Sequence, residues 1–313
     1  MKLVRTWRWD QTWLLYVCNA YFLLPWVVAF ITVPHLLEIY SAGGWRIVSI
    51  TASFGLLWGI SLAGYGVAFD IVGLSLTSGI ILGSSVALGS LVPLLFVPAS
   101  RRGTGHALEI AVADAVMLVG VVMCTIAGDM REKIQSHAVA RARNPRFRFG
   151  LVVCVLAGIL STCFNLVLVV GQPITSLAQN MGANSLWASN AVWSLAISTG
   201  ALPSIFRAAG KITRARAWGG YTEGPTLMNA TLCVFMGAMW ISGTALYGTS
   251  VGILGTFGPV IGWPIYMSAM ILAGIFWGWL TGEWKHVSGM PIALLLGGIG
   301  IQIVAMVLLG RFQ

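Results

Sequence analysis

Two stretches decide how this chain folds: GLLWGISLAGYG, Gly55 to Gly66, and GAMWISGTALYG, Gly237 to Gly248. Laid over each other without a gap, they share Gly55/Gly237, Trp58/Trp240, Tyr65/Tyr247 and Gly66/Gly248 at one offset, the 182 residues from 55 to 237. Ala63/Ala245 and Gly73/Gly255 fall on the same offset. Aligned identities that include two aromatic pairs mark an internal duplication. In each copy the tryptophan and the tyrosine stand seven residues apart, within about 20° of each other on one helix face.

The residues around both copies are apolar. The 313 residues are 58% hydrophobic with a mean hydropathy of +0.87, and only 9% are Asp, Glu, Lys or Arg, against about 25% in a typical soluble domain. So little charge cannot cover the surface of two soluble domains. At about 20 apolar residues per crossing plus a connection, the length holds about nine or ten helices, and the chain reads as an all-α polytopic membrane protein. Nine spans can be placed: 12–34, 47–70, 74–97, 107–127, 149–170, 186–206, 228–250, 258–281 and 290–310. Of the 27 charged residues, 17 lie in Lys2–Asp10, Asp129–Arg148 and Arg207–Glu223. Alternate sides of the nine spans carry 14 and four of the 18 Lys and Arg. The positive-inside rule then places the amino terminus in the cytoplasm and the carboxyl terminus outside. It also accounts for the net charge of +9 without a nucleic-acid partner.

This topology gives the duplication its meaning. The second span runs inward and the seventh outward, so the copies are antiparallel, as in the inverted repeats of secondary transporters. The copies divide the chain into 1–130, with four helices, and 131–313, with five; a fifth helix of the first repeat is expected before Met1. The run Thr12–Pro34 is too long for a signal-peptide core and is followed by no small-residue cleavage pattern, so it reads as a retained span.

Aromatic rings at Trp58, Tyr65, Trp240 and Tyr247 are platforms for the apolar face of a sugar or another neutral metabolite, although helix packing explains single aromatics equally well. The eighth span adds Trp263, Pro264, Tyr266 and Ser268, where proline frees a backbone carbonyl. Asn165 and Asn190 are amides within apolar runs and need partners. Ser78, Ser84, Ser85 and Ser90 with Gly79 and Gly83 make the third span a small-residue packing surface, hydroxyls turned to backbone. Asp114 is an acid within the fourth span, with no basic residue within four positions; it is the expected proton carrier or an interhelical bond. The five cysteines lie in apolar runs without metal-ligand spacing, and the four histidines fall at helix ends or in loops, so neither a metal nor a cofactor is expected. No nucleophile elbow, phosphate loop or zinc motif marks an enzyme. No segment is long enough for a nucleotide domain.

The runs Phe54 to Gly66 and Gly73 to Pro93 resemble the third and fourth helices of the bacterial L-rhamnose–proton symporter family, in the drug/metabolite transporter superfamily. Gly150 to Ile174, Gly237 to Trp240, and Trp263 to Ser268 with Glu283-Trp284 are similar to its sixth, eighth and ninth helices. The resemblance implies ten helices in two inverted halves of five, a central sugar site and proton symport, with the basic segment before Trp13 matching the loop after the family's first helix. Where the family carries an acid shortly before the ninth-helix tryptophan, this chain has Gly258, Pro259 and Gly262.

The expectation is therefore a proton-coupled importer of a neutral deoxysugar such as L-rhamnose, in the lipid of the bacterial inner membrane, working by alternating access. Trp58, Tyr65, Trp240, Tyr247 and Trp263 would stack on the sugar, Asn165, Asn190 and Tyr266 would orient it, and Asp114 would carry the proton. An exporter of amphiphilic metabolites or drugs, and a non-transporting scaffold or sensor, are the alternatives.

Overall fold

The computed structural model describes residues 4–98, 104–136 and 146–311; Lys2, Arg101, Arg102, Arg141 and Arg143 of the charge count, and His137, lie outside them. The described residues are helical, without a strand. In order they form α1 (Trp9–Val17), a π-helical turn (Cys18–Leu23), α2 (Leu24–Thr32), α3 (Leu36–Val72), α4 (Leu74–Leu94), α5 (Thr104–Ser136), α6 (Phe147–Ser161) and α7 (Cys163–Val170). There follow α8 (Gln172–Asn180), α9 (Asn190–Arg214), a 3₁₀ turn (Trp218–Thr222), α10 (Thr226–Leu254), α11 (Gly258–Leu280) and α12 (Met290–Gly310).

Among the described residues, seven stretches are long and apolar enough to cross a membrane, fewer than the nine spans read from the sequence. Two features account for the difference. Thr226–Leu280 counts once although a 3₁₀ turn at Gly255–Phe257 divides it into α10 and α11. α9 is not among the seven, because only 17 residues precede Arg207 in the helix and Ser194, Ser198, Thr199 and Ser204 dilute them further, yet more than half of the helix is buried. Its hydroxyls turn back to the chain: Ser198 Oγ donates to Ser194 O at 2.6 Å and Thr199 Oγ1 to Ala52 O at 2.8 Å.

Packing groups the helices into two compact units, each drawing on both 1–130 and 131–313. One comprises Met1–Ala63 and Leu166–Ile253, the other Gly64–Asn165 and Leu254–Gln313.

In the first unit α9 packs against α1, α2 and the π turn. Glycine sets the closest approach of α3 to α9: a Cβ on Gly55 would lie 2.1 Å from Ala196 O, and one on Gly59 2.2 Å from Gly200 O. Gly237, the repeat partner of Gly55, likewise brings α10 against Ala20, where a Cβ would lie 3.2 Å from the Ala20 backbone. α3 itself breaks at Gly44, whose φ of 77° lies in the left-handed region that glycine adopts without penalty.

In the second unit α5 packs along α12 and α4, and α4 also meets α6 and α11. The small-residue surface of α4 is what permits this. A Cβ on Gly79 would clash with Thr125 of α5 at 2.1 Å, and one on Gly89 with the Trp263 ring of α11 at 2.1 Å. Ser84 packs against Gly158 of α6, where a Cβ would come within 2.6 Å. The α5–α12 crossing is equally tight, since a Cβ on Gly120 would lie 2.9 Å from Gly298 O.

Candidate functional site

The residues expected to meet the sugar divide between the two units. In the first, the repeat-related tryptophans come face to face: Trp58 of α3 and Trp240 of α10 stack at 6.1 Å between centroids, 15° from parallel. Tyr21 closes the group, 4.5 Å from Trp240 and 5.4 Å from Trp58, and Tyr16 follows at 5.6 Å from Tyr21. Local sequence places each ring. Gly200 of α9 leaves room for Trp58, since a Cβ there would sit 2.5 Å from its Cε3. Pro25 cannot donate to the carbonyl of Tyr21 four residues earlier, and the chain accommodates this with the π-helical turn that carries Tyr21, a local widening often found at functional positions.

Tyr247 and Asn190 are in the same unit with other partners. Tyr247 lies 6.2 Å from the Trp193 ring, behind Gly248, where a Cβ would meet Trp193 Nε1 at 2.6 Å. Asn190 Nδ2 donates to Thr32 Oγ1 at 2.9 Å and ties α9 to α2.

In the second unit the polar residues bind the protein's own backbone. Asn165 Nδ2 donates to Gly89 O at 2.6 Å and to Pro259 O at 2.8 Å, joining the segment after α6 to α4 and α11. Trp263 Nε1 donates to Ser85 O at 2.7 Å, with Phe164 at 5.8 Å and Tyr266 at 5.9 Å from its ring. Tyr65 shares a hydrogen bond with Ser78 and packs on the Ala68–Val72–Cys154 cluster. The amide and indole of Asn165 and Trp263 thus have a structural task that would exist without any ligand.

Asp114 of α5 is 2% exposed, and neither carboxyl oxygen has a hydrogen-bond partner among the described residues. α4, α11 and α12, the helices packed against α5, contain no Asp, Glu, Lys, Arg or His. The hydroxyl that bears on the carboxyl is that of Ser90, whose hydrogen bond goes to Val260 O at 2.8 Å. The reason lies four residues along α11: Pro264 has no N–H to offer Val260 O, so α11 continues through its proline with a serine of α4 in place of the missing helical donor.

Sequence reasoning missed Tyr21 and the Ser90–Val260 bond. Pro25 in mid-span was the available signal for the first. The second depends on which helix faces Pro264, which no single-sequence pattern reveals.

A model of the L-rhamnose-proton symport protein family matches residues 1–312. Among curated relatives, the L-rhamnose-proton symporters of Cronobacter sakazakii and Pectobacterium atrosepticum are each 26% identical to this chain, over 99% of it and 91% of their own length. That of Yersinia pestis is 24% identical over the same shares. Similarity over nearly the whole length, in a helical chain with several membrane-crossing stretches and no enzymatic motif, leads to one assignment: the chain belongs to the L-rhamnose-proton symport protein family.

Proposed function

We propose that this protein imports L-rhamnose, or a closely related deoxysugar, together with a proton across the bacterial inner membrane by alternating access. The observation that carries the reading is the Trp58–Trp240 stack: the duplicated tryptophan of two copies, read from the charge pattern as antiparallel, meets its own counterpart. Nine crossings follow if α10 and α11, of 29 and 23 residues, each count as one and α9 as another. The amino terminus then faces the cytoplasm and the carboxyl terminus the outside.

Trp58 and Trp240, with Tyr21, are the sugar's apolar contacts in this reading. Two rings that sandwich a pyranose must stand about 7–8 Å apart, twice a van der Waals contact of 3.5–4.0 Å. At 6.1 Å the pair is closed on itself, so sugar entry requires the rings to part and exchanges ring–ring for ring–sugar contact. Asn165 and Trp263 are assigned to holding the second unit together, and Tyr266 packs beside them.

Asp114 is the proton carrier. An ionised carboxylate without a donor or a cation is costly in an apolar interior, so the conformation described here holds it as the neutral acid. Ser90 is the hydroxyl able to turn toward the carboxylate once the proton leaves. Doing so would deprive Val260 O of its donor, next to the proline of the helix that carries Trp263 and Tyr266. Proton release and the geometry of α11 are coupled through that one hydroxyl.

Proteoliposomes containing the purified protein, given an acid-outside pH gradient, should accumulate labelled L-rhamnose and lose that accumulation when a protonophore collapses the gradient. Gradient-independent passage, or transport of amphiphilic cations without competition by sugar, would contradict this reading.

A further inference from the structure

Within the second unit lies a cavity of about 370 Å³ bordered by α4, α5, α11 and the turn after α11. Along α5 its lining extends from Val121 to Arg131, ten residues or about 15 Å of helix, so it is a slot rather than a dimple. One end is apolar; the other holds Arg131, Glu283 and Trp284.

The chain builds that end with care. After Leu280 the chain turns at Gly282, φ 75°, with Gly282 N–H donating to Trp279 O at 3.0 Å and Glu283 N–H to Gly278 O at 2.9 Å. This paired-bond helix ending folds Glu283 and Trp284 back over the last turn. Gly278 admits them, since a Cβ there would lie 3.2 Å from Glu283 Oε2 and 3.4 Å from Trp284 Nε1. Arg131 Nη1 donates to Glu283 Oε2 at 2.7 Å, and its guanidinium carbon stands 4.9 Å from the Trp284 ring centroid. Among the described residues, Arg131 Nε is buried without an acceptor. A buried unsatisfied donor is rare and calls for a partner.

The chemistry narrows the occupant. Glu283 cancels the charge of Arg131, so the end is neutral and offers nothing extra to an anion. A guanidinium donor, a carboxylate acceptor and an indole face together suit a polyhydroxylated ring with an apolar side. Small-ligand pockets begin near 300 Å³. Arg131 and Glu283 lie on the side where the charge pattern places the cytoplasm.

We propose that this slot is a second sugar subsite, in which a neutral monosaccharide pauses on the cytoplasmic side, hydrogen-bonded by Arg131 and Glu283 and resting against Trp284. It rests on the function proposed above and adds a position that the aromatic stack of the first unit does not explain.

The test compares transport from the two faces, using labelled L-rhamnose with right-side-out and inside-out vesicles of the full chain. Three variants serve: Glu283→Gln, Trp284→Ala, and Gly274→Leu, which narrows the slot at a lining position where a Cβ meets no atom within 4 Å. The expected result is a KM about tenfold higher from the cytoplasmic face, the scale of one or two lost polar contacts, with the outer-face KM changed less than about twofold. Gly274→Leu breaks neither the ion pair nor the helix ending, so it reports on the slot even where a change in the pair impairs folding. Unchanged KM at both faces, an equal rise at both, or a copurifying phospholipid that Gly274→Leu displaces without altering KM, would each overturn the subsite. Wild-type protein that moves no L-rhamnose would refute the proposed function, and the subsite with it; wild-type transport with unaffected variants would refute the subsite alone.

Discussion

Trp240 of the first unit and Trp263 of the second are the same residue type in different employment. Trp240 spends its ring on other rings, Trp58 and Tyr21. Trp263 gives its indole N–H to Ser85 O under a glycine that leaves no room for a Cβ. The first arrangement can part and close again, because stacked rings can exchange ring–ring contact for contact with another apolar face. The second cannot open without stranding a buried indole N–H, at about 1–3 kcal/mol. A transporter needs both: surfaces that yield to substrate and joints that keep helices together while they do. Asp114 sits among the joints but lacks what they have, a partner for its oxygens.

Substitutions can break or sharpen this contrast. The largest effect is expected at Asp114→Asn, which keeps the shape and removes the exchangeable proton. Gradient-driven uptake should fall at least about 100-fold, roughly 3 kcal/mol, while exchange of labelled for unlabelled sugar at equal pH stays within a few fold. Loss of both would assign Asp114 to structure. Next comes Trp240→Ala, which removes one ring of the stack. The sugar KM should rise about tenfold, since aromatic contacts of this kind contribute on the order of 1 kcal/mol beyond area burial, and Trp58→Ala should do the same.

Asn165→Ala should act in the opposite sense. It removes the bond to Pro259 O and leaves Gly89 O, whose own helix has Pro93 where the donor should be, without a donor, so thermal stability in detergent should drop by several degrees while KM of the folded protein is retained. If KM rose as for Trp240→Ala, the division between yielding surfaces and joints would be wrong. The smallest effect belongs to Ser90→Ala: about threefold slower gradient-driven uptake, on the scale of one net hydrogen bond or less, with exchange unaffected.

Much of the architecture was legible before any coordinates. Apolar runs located the helices because membrane-crossing segments must satisfy their own backbone, and the 182-residue offset singled out Trp58 and Trp240. Their stacking was readable only as a possibility, because periodicity states which residues share a face and is silent on what lies opposite. That silence explains the rest. Asn165 and Trp263 are expected ligand contacts since an amide and an indole in apolar sequence demand partners; that Gly89 O and Ser85 O are among those partners depends on α4 lying alongside. The π turn before Pro25 was written in proline, but inside an apolar run that hydropathy alone reads as continuous; the break at Gly44 falls in the connection between the spans 12–34 and 47–70. α9 shows the converse: its serines weaken the hydropathy signal, yet it is deeply buried.

The most direct measurement of proton symport is the pH of a weakly buffered suspension of de-energised vesicles when L-rhamnose is added. The account predicts a transient alkalinisation of the medium as protons enter with the sugar, absent with Asp114→Asn. Entry of labelled L-rhamnose through the wild-type protein with no change in external pH would contradict it.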